Sequence, residues 1–241
     1  MSRANGGRGW MLLHGTPLAP AIWGPAAEHL DGPVAAPDCT VTPAGPNPQA
    51  TTAARLAEGI AGDIDLVGHS FGGQTALELA LLIPERVRSL TILCSRDTPV
   101  PAFAAVAAAV RSGTGPTAEA TLQRWFAPEE LAAGGPVVDE VRAELAAASV
   151  PDWAAALDAI AHYDSSARTS GLRMPVTLVA AGCDAVSTPD AMRSLQSRIP
   201  HADLIVHDAW HHLSPFLDPA ALAALLTRAA ARGGHANARL E

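Results

Sequence analysis

Ser70 stands in Gly68-His69-Ser70-Phe71-Gly72-Gly73, with one glycine two places before it and another two places after. The run Ile64-Asp65-Leu66-Val67 precedes it and reads as a buried strand. The stretch from Gln74 to Leu82 follows as a helix with no breaker before Pro84. A serine on so sharp a strand-to-helix turn has the pattern of an activated nucleophile. The glycines have a steric role, because a Cβ at Gly68 or Gly72 would strike the neighbouring strand or helix. The helix that starts there offers free N–H groups and a dipole that favour negative charge beside the serine.

A serine hydroxyl needs a base within hydrogen-bond reach, and the base needs a third group to hold it. Two adjacent histidines, His211 and His212, lie in the stretch from Asp208 to Pro219, just past the apolar run Leu204-Ile205-Val206. Positions beyond the C-terminal end of a strand are where catalytic groups gather in open α/β sheets. His29, His201, His207 and His235 have no such placement and read as surface residues. No metal is expected: neighbouring histidines on a loop point apart, and no third ligand recurs at zinc spacing.

Six short apolar runs could carry these residues as strands: 10–13, 34–36, 64–67, 90–94, 176–180 and 204–206. Helices read at 21–30, at 51–61 behind a Thr51-Thr52 cap, at 188–197 and at 219–231. Apolar strands alternating with helices predict a parallel sheet covered on both faces. The proline- and glycine-rich segment 38–49 reads as loop. Residues 99–173 break the rhythm with four predicted helices, at 102–111, 117–125, 137–147 and 153–163. Half of the aromatic side chains fall there: Phe103, Trp125, Phe126, Trp153 and Tyr163. The expected organisation is an α/β core over 1–98 and 174–235, a helical lid over 99–173 and a tail at 236–241.

The apolar fraction of 49% suits a sizeable core, thinly filled because so much of it is alanine. A net charge of −8 with no basic cluster argues against a nucleic-acid partner. Cys39, Cys94 and Cys183 are odd in number and scattered, so they read as free thiols in a reducing cytoplasm. The apolar run Trp10–Leu13 is too short for a signal peptide or a membrane span, so no membrane partner is expected.

Taken in order, these motifs resemble the α/β-hydrolase family, over nearly the whole chain apart from 99–173. His14-Gly15-Thr16-Pro17 resembles the family's oxyanion loop and Gly68–Gly73 its nucleophile turn. The segment 181–189 resembles its acid loop and 212–219 its histidine loop. The resemblance implies a doubly wound, mostly parallel sheet of about six strands. The lid is then inserted between the sixth and seventh strands of the family's sheet, which are the fourth and fifth here. The family's opening antiparallel hairpin has no room in the nine polar residues before Trp10. Spacing back from Pro219 selects His212 as base; His211, where the family usually carries glycine, is the second choice. The proline spacing favours Asp184 as acid, with Asp97 as rival. The implied oxyanion donors are the N–H groups of Phe71 and Thr16, since Pro17 has none. His14 would brace that loop.

The segment Arg124-Trp125-Phe126-Ala127-Pro128 resembles the lid of β-ketoadipate enol-lactone hydrolases. Expected pocket residues are Trp23, Arg96, Arg124, Trp125, Trp153 and His211. Arg96 or Arg124 would receive a substrate carboxylate, or else serve as an ordinary salt-bridge partner. The resemblance implies hydrolysis of a small carboxylic ester or lactone through an acyl-enzyme, with no cofactor. Enol-lactone or C–C bond hydrolysis and cofactor-free perhydrolase or haloperoxidase chemistry use the same triad and stay open. A catalytically lapsed small-molecule binding protein is the non-enzyme alternative.

Overall fold

Strand β1 (Gly9–Leu13) sends Trp10 and Leu12 to one side of the sheet and Met11 and Leu13 to the other, and all four are buried. A strand apolar on both faces needs cover on both. The computed structural model describes residues 9–39 and 44–237 and supplies that cover. Strands β1, β2 (Val34–Ala35), β3 (Ile64–His69), β4 (Val87–Leu93), β5 (Val176–Ala181) and β6 (Asp203–His207) form one sheet. Their order is β2-β1-β3-β4-β5-β6 and every neighbouring pair is parallel. The α/β-hydrolase sheet expected from the motifs is therefore present, without an antiparallel hairpin among the described residues.

The helices in chain order are α1 (Gly24–Ala27), α2 (Pro48–Ala57), α3 (Phe71–Leu82), α4 (Ala102–Arg111) and α5 (Ala118–Trp125). They continue with α6 (Pro128–Ala133), α7 (Pro136–Ala147), α8 (Val150–His162), α9 (Pro189–Arg198) and α10 (Pro219–Asn237). Helices α2, α3 and α9 cover the face of Met11, Leu66, Ile92 and Leu178. Helices α1 and α10 cover the face of Trp10, Leu12, Val67 and Val179. The side-chain alternation of each strand thus assigns its residues to two separate cores.

Helices α4 to α8 leave the core between β4 and β5. Leu122, Trp125, Phe126, Val138, Val141 and Leu145 of this insertion share a cluster with Trp23, Leu213 and Phe216 of the core. Helices α4 and α8 pack on each other through Ala107, Val110, Ala154 and Leu157. Tyr163 closes the insertion by donating its hydroxyl to the Gln74 carbonyl at 3.2 Å.

Three expectations are corrected. The insertion has five helices rather than four; the extra one, α6, starts where the Glu130 carboxylate accepts the Ala127 N–H at 2.7 Å. Helix α2 begins at Pro48, because Asn47 Oδ1 accepts the Ala50 N–H at 3.0 Å, and Thr51 and Thr52 lie inside it. The helix expected at 21–30 is a 3-10 turn, Pro20–Trp23, followed by the single turn of α1, which holds Pro25. Among the described residues no helix is long and apolar enough to cross a membrane. Residues 1–8 and 40–43, the end of the tail at 238–241 and the His235 side chain lie outside the described residues.

Candidate active site

Ser70 joins β3 to α3 with φ 54° and ψ −120°, a left-handed backbone that a non-glycine residue adopts only when its surroundings impose it. A Cβ at Gly68 would lie 2.4 Å from the Gly72 carbonyl oxygen, and one at Gly72 would lie 2.3 Å from that of Leu13. The glycines therefore permit the turn to pack against β1. Three contacts hold it: Ser70 N–H donates to Leu93 O at 3.0 Å, while Ser70 O accepts from Gly73 N–H at 2.9 Å and from Ser95 Oγ at 2.6 Å.

His212 lies in the loop after β6. Its Nε2 is 3.1 Å from Ser70 Oγ and its Nδ1 is 2.7 Å from Asp184 Oδ2. Asp184 lies in the loop after β5, and its Oδ1 accepts the N–H groups of Val186 at 2.6 Å and Ser187 at 2.9 Å. Burial alone would raise the Asp184 carboxyl. The charge and hydrogen bond of His212, with the Ser187 and Val186 N–H groups, outweigh burial and hold it below the usual aspartate range. The two loops are bound to each other, Gly182 N–H to His207 O and Cys183 N–H to Trp210 O, both at 2.8 Å. The insertion reaches the same loop, where Leu213 N–H donates to Trp125 O at 3.0 Å.

The cleft above Ser70 measures about 740 Å³ including its open mouth. Ser70 and His212 line it together with Thr16, Phe71, Arg96, Arg124, Trp125 and Trp153. These expected residues are brought together; two others are not. Trp23 is 0% exposed and meets Phe216 edge-on at 4.8 Å, so it belongs to the core beneath α10 and not to the cleft. The His211 ring does not line the cleft either, and its backbone N–H donates to Ser214 Oγ at 2.7 Å. Asp97, the rival for the role of acid, is fully buried, bound by Arg198 Nε at 2.7 Å and Thr169 Oγ1 at 3.1 Å, and makes no hydrogen bond to His212. His14 ties the loop after β1 to residue 39: its Nδ1–H donates to Gly15 O at 3.0 Å and its Nε2 accepts the Cys39 N–H at 2.9 Å.

Sequence reasoning missed His69. Its ring is buried, and Nε2–H donates to the carbonyl of His212 at 3.0 Å. Burial, with the neighbouring His212, pushes it down to about 3, so it stays neutral. It packs 4.8 Å from the His212 ring and meets Phe216 edge-on at 5.1 Å. As the variable residue of a Gly-x-Ser-x-Gly motif it gives no signal of its own; an imidazole ending a fully buried strand is the one available hint. Donor atoms of His69, Cys94 and His212 lie within 4.8 Å of one another. Both His212 nitrogens, however, are engaged by Asp184 and Ser70.

The alpha/beta hydrolase family matches residues 11–225. A pimeloyl-[acyl-carrier protein] methyl ester esterase of Neisseria meningitidis is 31% identical over 234 residues, covering 90% of this chain and 86% of that protein. The 3-oxoadipate enol-lactonase 2 of Acinetobacter baylyi is 29% identical over 147 residues, covering 60% of this chain and 55% of that one. Among solved structures, a thermophilic esterase from Thermogutta terrifontis with malate bound superposes with a TM-score of 0.82 at 25% identity, over 94% of this chain and 90% of that one. The enol-lactonase from Burkholderia xenovorans LB400 shares the fold, with a TM-score of 0.80 at 20% identity over 94% and 93% of the two chains. On its sheet, its motif order and this match, the chain belongs to the alpha/beta hydrolase family.

Proposed function

We propose that the protein is a serine hydrolase of small carboxylic esters or lactones, acting through Ser70, His212 and Asp184. The observation that carries this reading is the unbroken chain Ser70 Oγ–His212 Nε2 and His212 Nδ1–Asp184 Oδ2, which ends at the floor of an open cleft. With Nδ1–H donating to Asp184, the Nε2 lone pair faces the serine hydroxyl. As Oγ attacks the carbonyl carbon, the hydroxyl proton passes to Nε2. The carbonyl oxygen becomes an oxyanion, for which the N–H groups of Phe71 and Thr16 are the donors. Collapse expels the alkoxide, which takes the proton from Nε2 and leaves an acyl-Ser70 ester. Water then gives a proton to Nε2, attacks the acyl carbon and releases the acid, restoring the hydroxyl. Asp184 holds the tautomer and offsets the imidazolium charge at each step. In a lactone the leaving alcohol remains tethered to the acyl group, and the chemistry is otherwise the same.

Helices α4 to α8 act as the lid. Phe103, Val106, Trp125, Trp153, Leu157 and Ile160 give the cleft an apolar wall that suits a hydrocarbon part of the substrate. The relatives named as a methyl ester esterase and an enol-lactonase support cleavage at an acyl carbon. A lapsed binding protein fits less well, because every link of the chain is in place. The test is turnover of a short-chain aryl ester by Ser70→Ala. Loss by several powers of ten with an unchanged circular dichroism spectrum is expected; ordinary turnover would sink the proposal.

A further inference from the structure

Helix α3 is buried along most of its length, yet three of its side chains are polar: Gln74, Thr75 and Glu78. Buried polar groups need partners. Thr75 Oγ1 donates to the Phe71 carbonyl at 3.4 Å. Glu78 accepts from Arg168 Nη1 at 2.8 Å and from Asn47 Nδ2 at 3.3 Å. Gln74 is satisfied on one side only. Its Oε1 accepts from Gln49 Nε2 of α2 at 2.9 Å, and both residues are buried. Its Nε2 has no hydrogen-bond partner among the described residues, and Gln74 lines the Ser70 cleft.

Gln74 stands one turn beyond Ser70, and its backbone N–H donates to the Ser70 carbonyl at 3.3 Å. Its own carbonyl accepts the Tyr163 hydroxyl at 3.2 Å, from the end of the insertion. The backbone is thus held on both sides and the amide is held through its oxygen, which leaves the N–H2 group to meet a ligand. We propose that Gln74 is a specificity-determining residue of this cleft, and that its Nε2 donates to a neutral acceptor oxygen of the substrate other than the scissile carbonyl. An uncharged amide donor suits a keto oxygen. Fixed in advance by Gln49, it loses little freedom on binding. An N–H2 group left unanswered beside the apolar wall is unfavourable, so a substrate that lacks the acceptor is disfavoured. The inference deepens the hydrolase reading and rests on it. A structural role is the competing account, in which the two glutamines only join α2 to α3.

Two pairs of esters matched in shape separate the accounts. Methyl 5-oxohexanoate against methyl 5-methylhexanoate puts the keto group on the acyl side; 4-oxopentyl butanoate against 4-methylpentyl butanoate puts it on the alcohol side. The wild-type protein is expected to favour the keto member of one pair about tenfold in kcat/KM. Gln74→Glu keeps an acceptor for Gln49 but sets an oxygen where the free N–H2 group was. The preference is expected to vanish in it, chiefly through the KM of the keto ester, whereas a structural role would leave the preference in place. Gln74→Met should lose it as well. Gln49 does not line the cleft, and Gln49→Met should reduce the preference severalfold by freeing the Gln74 amide to turn. Binding of the same esters to Ser70→Ala, followed by thermal shift, reads the preference without turnover. Inert esters whose keto members alone stabilise Ser70→Ala, with that effect lost once Gln74→Glu is added, would sink the hydrolase reading and leave recognition by Gln74 standing. No keto preference in turnover or binding, a preference retained in Gln74→Glu, or an equal loss on both members of a pair would overturn it.

Discussion

The two aspartates that compete in the sequence do different work in the folded chain. Asp184 spends one oxygen on two backbone N–H groups and the other on His212. Asp97 spends both on Arg198 and Thr169. Asp184→Asn is therefore expected to lower kcat by about 10⁴ through the wrong histidine tautomer, with little loss of melting temperature. Asp97→Asn is expected to leave kcat within severalfold but to cost about 2–3 kcal/mol of stability, because Arg198 loses a buried charged partner. Thermal melts and turnover on the same two variants check both. His212→Ala should be inactive where His211→Ala is not, since only the His212 ring reaches Ser70. His69→Leu removes the donor to the His212 carbonyl; kcat should fall about tenfold or more, and His69→Gln, which keeps an N–H at that reach, should recover part of it. Ser70 was legible because a strained turn demands glycines at fixed offsets, and His212 because its distance to Pro219 is fixed by the short turn Ser214–Leu217 between them. Trp23 was not: an aromatic close in sequence to the oxyanion loop has no pattern to say which way it faces, and here it faces Phe216.

Strands β3, β4 and β5 were legible as apolar runs because they are buried on both faces, which suppresses the polar alternation of a half-exposed sheet. Helix starts were less so. Asn47-Pro48 caps α2 inside a stretch whose prolines and glycines read as loop, and α6 is a six-residue helix too short to show a period. Gly72→Ala tests how far the turn depends on close packing. With a Cβ 2.3 Å from Leu13 O, β1 and α3 must separate, and both melting temperature and turnover should fall sharply. Helix α7 is joined to the loop after Pro17 by Glu144, whose Oε1 accepts the Ala19 N–H at 3.0 Å and whose Oε2 is buried without a partner. Desolvation raises this carboxyl to about 7, with Glu140 adding to the rise. A folded-state value above the free one means that the folded chain holds the proton more tightly. This contribution to stability is thus complete below the free glutamate value of 4.5 and declines as pH rises toward about 7. Melting temperatures from pH 4 to 8 should show that decline in the wild type and a flatter profile in Glu144→Gln.

At the scale of the molecule, the sheet order decides which loops meet. Strands β3, β4 and β5 are neighbours, so the serine turn, the segment from which the insertion departs and the acid loop lie side by side. Strand β6 adds the histidine loop next to β5. The parallel architecture was legible because strands and helices alternate along the chain. The contacts of the insertion were not, since helix periodicity marks a buried face without naming what buries it. Those contacts prove specific: Trp125 O binds the backbone of the histidine loop, and Arg124 binds that of the acid loop. If Ser70 is the nucleophile and His212 its base, a reagent that traps an activated serine should label this residue. The most direct measurement is intact-mass analysis after a fluorophosphonate pulse, with peptide mapping of the adduct. One adduct per chain is expected, on Ser70, absent in Ser70→Ala and slowed by orders of magnitude in His212→Ala. A wild-type chain that takes up no probe, or an adduct that persists in Ser70→Ala, would contradict it.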